Sequence, residues 1–270
     1  MTTPAPTRYE LHDGIATITL DQPESRNALS VALVNSLGDH LAEAAEDSRC
    51  RLVLLTSSGP AFCAGADLKG GTSSDTPRHS LVSILTAILD HPRPVIGRIA
   101  GHCMGGGVGL AAACDISVAS SEARFGFTEV RIGVAPAIIS VVCLPKLSAG
   151  DALDLFLSGE RISAERAAEV GLVNRAVPPD RLDEAVAAVV DAVLQGGPGA
   201  LTAAKQLVRR VPGLTRDQGF EWTEQLSGEL FRSAEASEGM AAFRERRRPS
   251  WVPNGTDGVG PGGGGAGGGS

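Results

Sequence analysis

No apolar run in this 270-residue chain reaches the ~18 residues of a membrane-spanning helix, so no membrane partner is expected. The start, MTTPAPTRYE, has neither the basic nor the apolar region of a secretory signal, and the expected location is the cytoplasm. No C-x-x-C pair joins Cys50, Cys63, Cys103, Cys114 and Cys143; this odd set suits reduced buried thiols better than disulfides or zinc, and no metal site is expected. Positive charge is in deficit. A formal net charge of -7 and a pI near 5.3 oppose a general affinity for phosphate backbones, so nucleic acid is not an expected partner. The sequence also lacks the Gly-Lys-Ser/Thr ending of a P-loop, a G-x-S-x-G nucleophile elbow and an H-E-x-x-H zinc pair.

What is present is an ordinary globular composition, 43% hydrophobic and 20% charged, arranged in alternating strands and helices. YELHDGIATITL reads as two strands about an Asp13-Gly14 hairpin turn, and Ser30 is placed to cap the periodic helix VALVNSLGDHLAEAAED. RLVLLTS is a buried strand, Ser57 to Thr76 a glycine-bearing loop, and LVSILTAILD a helix. RPVIGRIA is a strand, 106–113 a helix and CDISVAS a further strand. The alternation predicts an α/β core. Beyond residue 145 the pattern turns helical, near 148–157, 163–169, 180–194, 198–211, 216–233 and 235–247. The expected organisation is a core over 1–197, a helical region over 198–250 that mediates oligomerisation, and a glycine-rich disordered tail over 251–270.

Two glycine-bearing turns offer backbone groups for chemistry. In FCAGADLK, residues 62–69, the small side chains of Cys63, Ala64, Gly65 and Ala66 leave the amides uncovered. GHCMGGGVGLAAACD, residues 101–115, packs five glycines into nine positions immediately before an apolar helix. With Gly106 at that helix N-terminus, its free N–H points outward with the positive end of the helix dipole behind it. Two such amides would form an oxyanion hole. The rival is a dinucleotide fingerprint, since Gly107, Gly109 and Ala112 fit G-x-G-x-x-A and Glu122 lies past the next strand. That acid comes early, 15 residues on rather than roughly 20, and the fingerprint leaves AFCAGADLK unexplained.

SRNALS, AFCAGADLK, GHCMGGGVGLAAACDI, ARFGFTEVRIGVAP and EGMAAFRERRRPSW, in this order and spacing, resemble the crotonase superfamily, the enoyl-CoA hydratases and isomerases. The resemblance covers roughly residues 8–250. It implies a spiral of ββα units with a helical C-terminal region, a homotrimer or homohexamer, and an acyl-CoA thioester as substrate, with coenzyme A carried by the substrate and no separate cofactor. Matched motif to motif, the thioester oxygen falls to the amides of Ala66 and Gly106, with Gly105 and Gly109 beside them. Arg26, Ala28, Ala64, Asp67, Leu68 and Lys69 fall where the family holds coenzyme A. Phe243 and Arg246 fall where it closes the coenzyme A site of a neighbouring subunit.

The departures from the family pattern carry information too. Many hydratases of the family use two glutamates, one three residues after the oxyanion glycine and one in the following E-x-x-x-G segment. This chain has Gly109 at the first place and Glu129 at the second. One carboxylate supports two reactions: hydration of a 2-enoyl-CoA, or Δ3,Δ2-isomerisation by carrying a proton from C2 to C4. EVRIGVAPAIIS resembles hydratases acting on branched or carboxylated enoyl-CoAs, of the methylglutaconyl-CoA type, and this places hydratase first and isomerase second. A binding protein that kept the fold and lost its chemistry is the reading from another class.

Overall fold

The computed structural model describes residues 5–68 and 76–252. The core is built from four ββα units. Strand β1 (Thr7–His12) turns through Asp13 and Gly14, both at positive φ, into β2 (Ile15–Leu20), as a D-G hairpin should. Ser30 accepts a hydrogen bond from the Leu33 N–H at 3.2 Å and starts α1 (Val31–Glu46). The second unit is β3 (Leu52–Ser57), β4 (Ala61–Cys63) and α2 (Leu81–Leu89). The third is β5 (Val95–Ile99), β6 (His102–Met104) and α3 (Gly106–Ala113); the fourth is β7 (Ile116–Ser120), β8 (Arg124–Gly126) and α4 (Ala137–Cys143). After them come α5 (Ala149–Ser158), β9 (Arg161–Ser163), α6 (Ala164–Glu169), β10 (Arg175–Val177), α7 (Leu182–Leu194), α8 (Pro198–Arg210), α9 (Arg216–Phe231) and α10 (Ala234–Glu245).

From the second unit on, each unit gives its first strand to one sheet and its second to another. The six-stranded sheet runs β1-β2-β3-β5-β7-β10 and is parallel except for the first pair. The four-stranded sheet runs β4-β6-β8-β9, with β9 antiparallel. Only Ala100 and Gly101 separate β5 from β6, so the chain steps between sheets within two residues. A Cβ at Gly101 would lie 2.5 Å from the Pro60 carbonyl oxygen, and only glycine lets that corner close. The larger core joins one face of the main sheet (Ile18, Val53, Leu55) to the first three helices, including Leu37, Ile88 and Leu110. On its other face Leu52, Ile96 and Val118 meet Leu182, Val186 and Val189 of α7. This is the α/β spiral of ββα units expected from the sequence.

The whole second sheet went unread. The expected loop from Ser57 to Thr76 contains β4, and β6, β8, β9 and β10 were likewise not anticipated. Each of these five strands spans three residues, too few for a two-residue alternation to stand out. Helix α4 was also unassigned, because AIISVVC is apolar all round and has no polar face to reveal a period. The boundary placed at residue 250 falls later: Trp251 Nε1 donates to the Gln195 carbonyl and Val252 is buried. The rest of the tail expected to be disordered, 253–270, lies outside the described residues. Among the described residues no single helix is long and apolar enough to cross a membrane.

One buried ion pair ties the C-terminal helices to the core. Asp115, at the entry to β7, accepts from the Val95 N–H, from Lys205 Nζ and from Arg209 Nη2, each at 2.8 Å. Lys205 retains 8% of its side-chain exposure and also donates to the Ile88 carbonyl. Removing the carboxylate strands a buried ammonium, which costs about 3–5 kcal/mol. Asp115→Ala is therefore expected to lower the unfolding free energy, measured by denaturant titration, by that amount. A loss under ~1 kcal/mol, the range of exposed ion pairs, would show that water reaches Lys205 freely.

Candidate active site

The site begins with backbone geometry. Gly65 has φ +86 and Gly105 φ +51, conformations that favour glycine, and they mark the two turns singled out in the sequence. The turns touch. A Cβ at Gly65 would fall 2.8 Å from the Met104 carbonyl oxygen and 3.4 Å from the Gly106 nitrogen; one at Gly107 would fall 2.2 Å from the Cys63 carbonyl oxygen. Side chains at these places would force the β4 turn away from the start of α3. Gly105 is the N-cap of α3, and its own N–H is tied to the Gly126 carbonyl at 3.0 Å.

Gly106, the first residue of α3, has no acceptor within the helix for its N–H. At the other turn the Leu29 N–H bonds to the Gly65 carbonyl at 2.8 Å, and this parallel bridge does not engage the Ala66 N–H. Both amides border one cavity of about 480 Å³, together with Ala64, Gly65, Leu68, Gly105 and Glu129. Its remaining wall is mainly apolar, from Leu29 and Val34, from Leu81, and from the 132–139 segment.

Glu129 lies on a 3₁₀ turn, Thr128–Ile132, directly after β8. Its carboxylate rests against Gly105: a Cβ there would be 3.0 Å from Oε1. Its Oε2 is buried without a hydrogen-bond partner among the described residues. Burial pushes the carboxyl above the ordinary glutamate range, because the charged form loses more hydration than the neutral one. A buried, unpartnered carboxylate oxygen on a cavity wall is an acceptor awaiting a donor from outside the protein.

The expected site residues therefore divide. Ala64, Ala66, Leu68, Gly105, Gly106 and Glu129 meet on the cavity. Arg26, Ala28 and Asp67 do not line it, although the Arg26 carbonyl accepts from the Ala64 N–H at 3.0 Å. Gly109, expected beside the substrate, is instead buried under α4: a Cβ there would be 2.4 Å from Ile139 Cγ2, and Ile139 is the residue that reaches the cavity. Phe243 is 84% exposed on α10, and Arg246 ends that helix in the left-handed region; neither lines this chain's cavity. Lys69 lies outside the described residues.

Sequence reasoning passed over Asn27. It is buried at φ +53, a conformation asparagine tolerates, and its amide ties three segments together. Oδ1 accepts from the Gln22 N–H at 2.8 Å, while Nδ2 donates to the carbonyls of Ser58 and Ala61 at 3.0 and 2.9 Å. It fixes the base of the first turn. His79 lies on the cavity as well; its ring rests on Gly38 of α1, where a Cβ would be 2.4 Å from Cγ, and it bonds to Asp39 at 3.2 Å through Nε2. Nothing in the local sequence separates these two from surface polar residues.

The fold and this site define an α/β protein of crotonase type in which Ala66, Gly106 and the Glu129 carboxylate share one cavity. Residues 10–254 match the model of the enoyl-CoA hydratase/isomerase family. A Thermus thermophilus protein assigned as an enoyl-CoA hydratase is 34% identical over 243 residues, covering 87% of this chain and 96% of that one. (E)-benzylidenesuccinyl-CoA hydratase of Thauera aromatica is 31% identical over 255 residues, covering 91% and 98%. The crystal structure of an enoyl-CoA hydratase from Mycobacterium smegmatis superposes with a TM-score of 0.84 at 31% identity, covering 91% and 98%. The chain belongs to the enoyl-CoA hydratase/isomerase family of the crotonase superfamily.

The burial of Glu129 has a thermodynamic signature. Its folded-state pKa is raised, so the stabilising neutral form holds in full below the unfolded glutamate pKa of about 4.3 and is lost as pH rises through the folded value. Glutamine is neutral throughout. Glu129→Gln is expected to match the wild-type melting temperature at pH ~4 and to exceed it at neutral pH, by about 2–4 °C for each kcal/mol. An equal difference at both pH values would mean that the carboxylate is fully hydrated.

Proposed function

We propose that this protein adds water across the 2,3 double bond of a 2-enoyl-CoA thioester. The observation that carries the reading is the meeting, on one cavity, of the N–H groups of Ala66 and Gly106 with the buried carboxylate of Glu129. The thioester oxygen sits between the two amides, which stabilise the negative charge it gains as the enolate forms. The Glu129 carboxylate takes a proton from water while the water oxygen bonds to C3; the electron pair of the double bond moves to the thioester oxygen. The same carboxyl then returns that proton to C2, the enolate collapses, and the net change is one water added. Burial suits Glu129 to both steps, because raising its pKa brings its acid and base forms closer in free energy at neutral pH.

The apolar wall at 132–139 favours an uncharged, branched acyl group over a carboxylated one, since Glu129 and His79 are the titratable side chains on the cavity among the described residues. Arg26, Ala28, Asp67 and Lys69 are proposed to hold coenzyme A outside the cavity. The proposed reaction draws on the substrate's own coenzyme A alone, with oxyanion stabilisation assigned to the two amides and proton transfer to Glu129. The reading places the protein in the cytoplasm, where five free buried cysteines stay reduced.

Among the described residues a single carboxylate lines the cavity, which also suits Δ3,Δ2-isomerisation, and isotope labelling separates the two. With crotonyl-CoA in oxygen-labelled water, a hydratase places the label on C3, and Glu129→Gln abolishes incorporation. Turnover of a 3-enoyl-CoA with no label uptake from crotonyl-CoA would make the protein an isomerase instead.

The oxyanion reading has its own test. Any side chain at 106 presses on Leu29, whose Cδ1 lies 2.5 Å from that Cβ position, so Gly106→Ala serves as the steric control that keeps the N–H. Gly106→Pro, which lacks it, is expected to fall below Gly106→Ala in kcat by about 10²-fold or more. Equal rates would remove the Gly106 amide from the mechanism.

Assembly into a homotrimer or homohexamer is part of the proposal. The exposed Leu153, Leu157, Phe220, Phe231 and Phe243 supply apolar surface for it. Light scattering at micromolar concentration is expected to give three or six chain masses, and a monomer would refute it.

A further inference from the structure

We propose that Ile139, seated on Gly109, sets the size of the acyl group that this cavity accepts; the inference rests on the acyl-thioester reading above. Consecutive turns of α3 present glycines at positions 105 and 109, four residues apart and so on one side of the helix. Gly105 faces the Glu129 carboxylate, and Gly109 faces Ile139. A Cβ at 109 would lie 2.4 Å from Ile139 Cγ2 and 3.0 Å from Ile139 Cβ, closer than carbon atoms approach. The isoleucine fills the volume that the missing side chain leaves.

Ile139 is only 2% exposed, yet it borders the cavity, so the α3 backbone holds it from one side and its other side forms wall. As a β-branched residue inside helix α4 it has essentially one rotamer available, and the wall cannot swing aside. On the same cavity Leu29, Val34, Leu81, Ile132 and Ile138 add apolar wall, with the polar groups contributed by His79, Ser80, Thr128 and Glu129. Polarity therefore does not grade one hydrocarbon acyl group against another here. Volume does, at about 10-fold or more for each methylene added or removed.

The pair has a signature that neither residue has alone. Ile139→Ala removes wall and leaves α3 untouched. Gly109→Ala adds a methyl where Cγ2 already sits and drives Ile139 into the cavity. In the double variant the Cγ2 that the new methyl would strike is gone; the alanine Cβ that remains at 3.0 Å asks only a few tenths of an ångström of adjustment, and most of the effect is lost.

The readout is the ratio of dissociation constants for two saturated thioesters, butyryl-CoA and octanoyl-CoA, measured by calorimetry. Because neither thioester reacts, the ratio tests the wall whether or not the proposed hydration is correct; failure of the hydration reading shows separately, as missing label in crotonyl-CoA. Ile139→Ala is expected to shift the ratio toward octanoyl-CoA by about 10-fold or more, and Gly109→Ala to shift it the other way by a similar factor. In the Ile139→Ala background Gly109→Ala is expected to act less than ~2-fold, since the two sites share one volume. Circular dichroism verifies the fold of each variant; where alanine does not fold, Ile139→Val, which keeps Cγ2, replaces it for the wall shift alone, with a smaller shift in the same direction. An unchanged ratio in a folded Ile139 variant, or an equal effect of Gly109→Ala in both backgrounds, overturns the proposal.

Discussion

The constraint on which the site depends is the contact between two backbone turns that have no room for side chains. Gly65 abuts the Met104 carbonyl and the Gly106 nitrogen, while Gly107 abuts the Cys63 carbonyl. The strands leading into these turns, β4 and β6, are parallel neighbours in the small sheet. Their pairing delivers two N–H groups from residues forty apart to the edge of one cavity. Glycine in these places costs backbone entropy. The cost is offset by the buried core beneath, where Cys63, Cys103 and Val108 are wholly enclosed.

The same packing creates the electrostatics. Gly105 leaves room for Glu129 to lie against the start of α3, and the apolar neighbours that exclude water from its carboxyl raise its pKa. An uncompensated carboxylate destabilises the resting protein and prepares it for proton exchange. Asn27 works in the opposite sense: its three hydrogen bonds stabilise the strained left-handed stretch at Arg26 and Asn27 that supports the first turn. Strain and support lie within a few residues of each other because the turn must hold its shape while its amide borders the cavity.

The contrast between Gly105 and Gly109 shows how one helix face serves two purposes. Four residues apart, one makes room for a carboxylate and the other for an isoleucine. The family pattern led to Gly109 as a residue facing substrate, whereas α4 covers it and substitutes Ile139 on the wall. Helix α4 was itself unread, so the element that displaces Gly109 was absent from the reckoning.

By itself the sequence determined the five longer strands and nearly all the helices, because strands of five or six residues and capped amphipathic helices carry their own periodicity, but not the order in which those strands pair. It also determined both glycine turns and Glu129, through local spacing and likeness to a known family. Tertiary structure alone decided the small sheet, whose three-residue strands exist only by pairing with partners distant in the chain. It alone decided which expected residues share the cavity, setting Arg26 and Gly109 outside it and seating Ile139 on Gly109. The physical reason is common to all of these: burial and contact belong to pairs of residues far apart in sequence, and a local pattern records only one member of each pair.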